Sequence, residues 1–120
     1  MNLMQVTVTI RNPADPEKSW EGLFMVDPSI TDSLVPRHRL EAIGLVPKGR
    51  RSYKLAGHSE INMDITTADI EFMDEIAGGT IIFGDNHAEP ILGTTALKSA
   101  GIEIDALNNR LKKLPAAKLK

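Results

Sequence analysis

Phe24-Met25-Val26-Asp27-Pro28-Ser29-Ile30-Thr31-Asp32-Ser33-Leu34-Val35-Pro36 is the stretch on which the fold turns. Its lead-in, Leu23-Phe24-Met25-Val26, has the continuous hydrophobicity of a strand covered on both faces, and Trp20 to Val26 is read as that strand. Pro28 ends it, because proline brings no N–H to a ladder. Asp27 is therefore delivered at a strand end, at the head of a polar loop. On residue types alone, an Asp followed by Pro at such a place reads as a turn or capping residue. Its chemistry has to come from its surroundings.

On the N-terminal side, Gln5 to Ile10 alternates, with Val6, Val8 and Ile10 on one face and Gln5, Thr7 and Thr9 on the other. That is a half-buried strand, closed by the turn residues Asn12 to Pro16. On the C-terminal side, Pro36 to Ile43 predicts a short helix stopped by Gly44. Arg51 to Ala56 and Ser59 to Phe72 predict two strands joined by the two-residue loop Gly57-His58, a type II′ hairpin turn. The second arm changes phase near Thr67, between Ile61, Met63 and Ile65 and the later Ile70 and Phe72, which predicts a bulge.

Gly78-Gly79 reads as a turn into a short strand, Thr80 to Gly84, and Asp85 to Pro90 as a loop. Ile91-Leu92-Gly93 precedes a helix capped by Thr94 or Thr95, running to Ala100 and stopped by Gly101. Strands Ile102 to Asp105 and Arg110 to Leu114 flank the turn Leu107-Asn108-Asn109. Many short strands, turn signals about every ten residues and two short helices predict an all-β fold, a small barrel or sandwich.

The 120 residues suit one domain, 1–120, with 115–120 a flexible tail. Aromatic residues make up only 4%, so Ile, Leu, Val, Met and Ala must build the core, with Met25, Met63 and Met73 as filler. A net charge of −2 and short, interrupted basic stretches argue against a nucleic-acid partner. No membrane span or signal peptide is visible, and none of the 120 residues is cysteine. The expectation is a cytoplasmic chain without disulfides or thiolate chemistry. His38, His58 and His87 lack the i,i+3 or i,i+4 spacing of ligands, so no metal and no cofactor is expected.

The whole ordered set resembles the retropepsin-like (retroviral-type) aspartic proteases. Phe24 to Pro36 looks like their catalytic-Asp loop, and Ile91-Leu92-Gly93 with the following helix and Gly101 to Asp105 is similar to their C-terminal segment. Tyr53 to Ile61 falls where they place a flap. The resemblance runs from Val6 to Leu111 and implies a small closed β-barrel. Because only one such Asp segment is present, it also implies a homodimer in which each protomer contributes Asp27 to one dyad. Gln5 to Ile10 and Arg110 to Leu114 are then the segments expected to interleave in a shared sheet.

The implied activity is that of an aspartic endopeptidase acting on peptide or protein substrates. Asp27 is the catalytic residue, Ser29, Ala56, Gly57 and His58 contact substrate, and Pro28, Ile30, Thr31 and Asp32 complete the active-site loop. Asp32 and Ser33 are expected to brace that loop. Where the family usually has Thr or Ser, then Gly, then a small residue after the Asp, this chain has Pro28, Ser29 and Ile30, and its flap tip carries only Gly57-His58. Two readings stay open: a working endopeptidase, or a non-catalytic dimer of the same fold that binds peptides or serves assembly.

Overall fold

A computed structural model describes residues 4–119. The strands are β1 (Met4–Arg11), β2 (Ser19–Val26), β3 (Ser33–Pro36), β4 (Gly49–Lys54), β5 (Glu60–Phe72), β6 (Glu75–Gly84), β7 (Ile91–Leu92), β8 (Ile102–Asp105) and β9 (Arg110–Lys113). Two short helices, α1 (Arg37–Ala42) and α2 (Thr94–Ala100), sit between them. Strand order is β1-β2-β7-β3-β6-β5-β4, and β1 also pairs with β5 through Thr9 to Arg11 against Asp69 to Glu71. That extra pairing closes six strands into a barrel and leaves β4 hanging from β5. Arg11 seals the closure with a bidentate pair to Glu71, 2.7 and 3.1 Å, which holds the Glu71 carboxyl below its ordinary range.

The barrel is filled by aliphatic side chains, as the composition requires. Val8, Ile10, Phe24, Val35, Leu40, Ile70, Ile81 and Leu92 are wholly buried, with Leu97 and Ile102 closing the bottom. β1 buries Val8 and Ile10 on the predicted face. β2 departs from its prediction: Phe24 and Val26 are buried but Leu23 is 55% exposed, so the apolar run is covered on one face only. β1 is paired to β2 along its length, while its other edge meets β5 only from Thr9 to Arg11. β9 pairs with β8 alone.

Two expectations about the long strands are corrected. The phase change near Thr67 is not a bulge, because β5 pairs with β6 in one unbroken register from Ile65↔Ile82 to Phe72↔Glu75. Instead the strand changes which face is covered, and Ile61 and Met63 stand beside their cross-strand partners Tyr53 and Arg51 rather than under β4. Thr66, Ala68, Ile70 and Phe72 point into the barrel, whereas Ile61 and Met63 point to the other side. Gly78-Gly79 lies inside β6; the turn is Met73-Asp74, whose φ values of 52° and 62° suit a type I′ hairpin. A Met in that region is uncommon, which is why the sequence pointed to the glycines.

The β4–β5 hairpin is closed by Leu55 N–H to Ser59 O at 2.8 Å, so its loop has three residues, Ala56-Gly57-His58. Positive φ falls at Gly57 and His58, 88° and 69°, rather than at the first loop position alone as a type II′ turn requires. The helices start at positions slightly different from those read. Pro36 closes β3 and caps α1, and Gly93, not a threonine, caps α2. Gly44 and Gly101 stop the helices with positive φ, as read. Pro115 to Leu119 carries no regular structure and is exposed.

Gly93 sits where a Cβ would come within 2.6 Å of Asp32 C and 2.7 Å of Ser33 N, and closer still to Thr31 O. Backbone cannot yield as a flexible side chain does. Gly93→Ala should lower unfolding stability by about 3 kcal/mol or more, whereas Gly78→Ala, with open space around it, should stay within about 0.5 kcal/mol of the parent. Urea unfolding of both variants checks this, and similar midpoints would refute it.

Candidate functional site

β2 and β7 run parallel through Met25↔Ile91 and Val26↔Leu92, while β3 lies antiparallel to β7 and parallel to β6. The chain leaving β2 therefore loops through residues 27–32 and returns beside β7. The start of α2 holds that loop from below. Thr94 N–H donates to Ile30 O at 2.9 Å, Thr95 N–H to Thr31 O at 3.1 Å, and Thr95 Oγ1 to the same carbonyl at 3.0 Å. Ser33, wholly buried, accepts the Gly93 N–H at 2.9 Å. Thr95 thus spends its hydroxyl on the loop, which explains why it does not cap its own helix.

Asp27 heads the loop, half-buried. Asp27-Pro28-Ser29-Ile30 forms a β-turn closed by Ile30 N–H to Asp27 O at 3.1 Å, with proline at the position whose φ it pre-sets. Asp27 Oδ1 accepts both the Ser29 N–H, 2.9 Å, and the Ser29 hydroxyl, 2.7 Å. Those two bonds, the backbone one first, hold the Asp27 carboxyl below its ordinary range. Among the described residues no hydrogen bond reaches Oδ2.

Asp32 braces the far end of the loop. Its carboxylate, 8% exposed, accepts Tyr53 Oη–H at 2.6 Å and Arg51 Nη1–H at 2.8 Å, both from β4. The hairpin is thereby tied to the loop that carries Asp27. Burial first, and then the hydrogen bond to Asp32, push the Tyr53 phenol up to about 12.

Between hairpin and loop lies a cleft of about 380 Å³. Its floor is Ser29, Ile30, Thr31 and Asp32, its walls Leu34, Ile82 and Ile91, and its roof Tyr53, Lys54, Leu55, Ile61 and Met63. Four residues expected at the site are thus brought together beside Asp27. Asp27 and Pro28 stand outside the lining, and Ala56, Gly57 and His58 lie exposed at the hairpin tip, away from it. Met63, read as core filler, belongs to the roof. Tyr53 to Ile61, expected at the flap position, contributes Tyr53, Lys54, Leu55 and Ile61 to the roof; the walls and Met63 were missed, although the Ile61, Met63, Ile65 alternation was the signal that this face of β5 needed a cover. His38 and His87 are exposed in α1 and in the loop before β7. Among the described residues no helix is long and apolar enough to cross a membrane.

No family model matches this chain, and no curated protein matches it either. Among solved structures it is similar to the simian foamy virus (mac) protease, known from a solution structure. Identity is 13% and the TM-score 0.57, over 79% of this chain and 92% of that one. At such identity the likeness is one of fold. The chain has a mostly-β fold of the retroviral-protease type.

Tyr53 is the only tyrosine in the chain, so ultraviolet titration reads it alone. A phenol whose pKa is raised on folding favours the folded state below pH 10 and loses that contribution as pH rises towards about 12. Asp32→Asn removes the charge that helps raise it, and the Tyr53 midpoint should move down while burial keeps it above the free value. An unchanged midpoint would break the proposed tie between hairpin and loop.

Proposed function

We propose that this chain is one subunit of a homodimeric aspartic endopeptidase, with Asp27 from each protomer forming the dyad. The observation that carries the reading is the placing of Asp27: a carboxylate with Oδ2 unclaimed, at a strand end beside an apolar cleft roofed by a hairpin. The cleft suits an extended peptide, whose backbone would lie along the hairpin and whose aliphatic or aromatic side chain would enter between Ile30, Ile82 and Ile91. The similarity in fold to a viral protease supports the same reading.

Two carboxylates a hydrogen bond apart share one proton, since both cannot ionise together. The ionised Asp27 takes a proton from a water lying between them as the water oxygen attacks the peptide carbonyl carbon. The protonated partner donates a hydrogen bond to the developing oxyanion. Collapse of the tetrahedral centre breaks the C–N bond, the amine nitrogen leaves with a proton, and the dyad returns to its singly protonated form. One water is consumed, and an acid and an amine are formed. Activity should then need the singly protonated pair: it fails as pH falls through the lower pKa of the pair and again as pH rises through the upper one.

The second reading, a non-catalytic peptide-binding dimer, is favoured by Pro28. Where two such loops meet at a two-fold axis, a Thr or Ser could cross-link them through its hydroxyl and N–H, and Pro28 has neither group. One assay separates the two. A peptide library is incubated from acid to neutral pH with parent and Asp27→Asn, while sedimentation follows the dimer. The parent should cut best in mild acid, and Asp27→Asn should lose roughly 10⁴-fold or more. No cleavage by a confirmed dimer would leave the binding module standing, and a persistent monomer would remove the shared site altogether.

A further inference from the structure

Ser29 occupies a position where the hydroxyl has a specific use. Pro28 supplies no N–H, so the first amide after Asp27 that can reach its side chain is that of Ser29. The turn delivers that amide to Oδ1 at 2.9 Å, and the Ser29 hydroxyl arrives at the same oxygen at 2.7 Å. Both bonds come from one residue held by the proline-initiated turn, whose next amide closes on Asp27 O at 3.1 Å. The loop is fixed again at Ile30 O and Thr31 O by α2. The carboxylate is thus clamped at one oxygen by a loop that is itself clamped.

We propose that Ser29 is a positioning residue for Asp27: its amide and hydroxyl together claim Oδ1, so that Oδ2 is the oxygen that exchanges the proton and faces the attacking water. This deepens, and rests on, the endopeptidase reading. An oxygen already accepting two hydrogen bonds is a poor site for a proton, because adding one there would turn an acceptor towards two donors. Protonation is directed to Oδ2, the oxygen free to share a proton with a second carboxylate. The hydroxyl also stabilises the ionised form, so the carboxylate that must accept the water's proton stays charged to lower pH than an unassisted one. A side chain at this place narrows the approach of a substrate backbone to the loop, and Ser29 also lines the cleft. Its geometry gives in return a fixed orientation of the carboxylate.

The test uses the full-length chain in three forms: parent, Ser29→Ala and Ser29→Thr. The Asp27 carboxyl carbon is followed by NMR against pH, a readout that needs no catalysis, and pH–rate profiles are recorded beside it on a cleaved peptide. In Ser29→Ala the Asp27 midpoint should move to higher pH. The acid limb of kcat should move the same way, kcat falling by up to about 100-fold as orientation loosens, with KM little changed. Ser29→Thr, which keeps a hydroxyl on the same carbon, should restore both. An Asp27 titration unmoved in a folded Ser29→Ala chain would overturn the proposal, as would a loss of activity with the acid limb in place. Should no form cut peptide while the Asp27 midpoint still moves and Thr restores it, the clamp on Oδ1 stands and the endopeptidase reading falls.

Discussion

The structure depends on a place where two backbones touch with no side chain between them. Gly93 lies against the main chain of Thr31 to Ser33, and the Gly93 N–H is satisfied by the hydroxyl of buried Ser33. From that contact the amides of Thr94 and Thr95 reach up to Ile30 O and Thr31 O. A loop of six residues, which would otherwise cost conformational entropy to order, is held by three hydrogen bonds at Ile30 O and Thr31 O from the first turn of helix. The candidate site stands on this loop. Asp27 is at its head, Asp32 at its foot, and Ser29 to Thr31 form the floor of the cleft.

The second constraint is closure of the barrel. β5 is long enough to serve two structures. Its second half pairs with β1 and β6 and sends Thr66, Ala68, Ile70 and Phe72 into the core. Its first half pairs with β4 and turns Ile61 and Met63 to the cleft. One unbroken strand thus makes the wall of the barrel and the roof of the cleft. Asp32, by holding Tyr53 and Arg51, sets the height of that roof above the floor.

Much of this was legible in the residues. The alternation of Val6, Val8 and Ile10, the apolar run into Asp27, and the Gly44 and Gly101 stops each state a local preference that the fold keeps. What stayed hidden were features whose cause lies elsewhere in the chain. β3 is four residues of Ser-Leu-Val-Pro, too short to show a period, and it is a strand because β6 and β7 flank it. The Met73-Asp74 turn carries none of the usual turn glycines and is imposed by the register of β5 on β6. Leu23 belongs to an apolar run that reads as doubly buried, but nothing packs over its outer face. At the site, the resemblance rather than residue types alone marked the loop from Asp27 to Asp32, of which Ser29 to Asp32 form the cleft floor. The hairpin was marked as a flap by the resemblance, but the residues it turns to the cleft were not identified, because Tyr53 and Leu55 reach it only through hairpin pairing. The three-residue tip follows from the same pairing, and it carries Ala56, Gly57 and His58 clear of the cleft.

β4 also has a colloidal consequence. At the end of the seven-stranded sheet it has an unpaired edge, running from Gly49 to Lys54 along an exposed hairpin. Such an edge invites a second chain to add to it and begin a stack. Here it reads Gly-Arg-Arg-Ser-Tyr-Lys, so two copies approaching edge to edge would align cation against cation with few apolar side chains to compensate. Lys54 and Arg50, the latter beside Asp64, put charge along that open edge, while Arg51 is anchored at Asp32. A hairpin left open at its edge beside a cleft is thereby a poor template for the addition of a further strand.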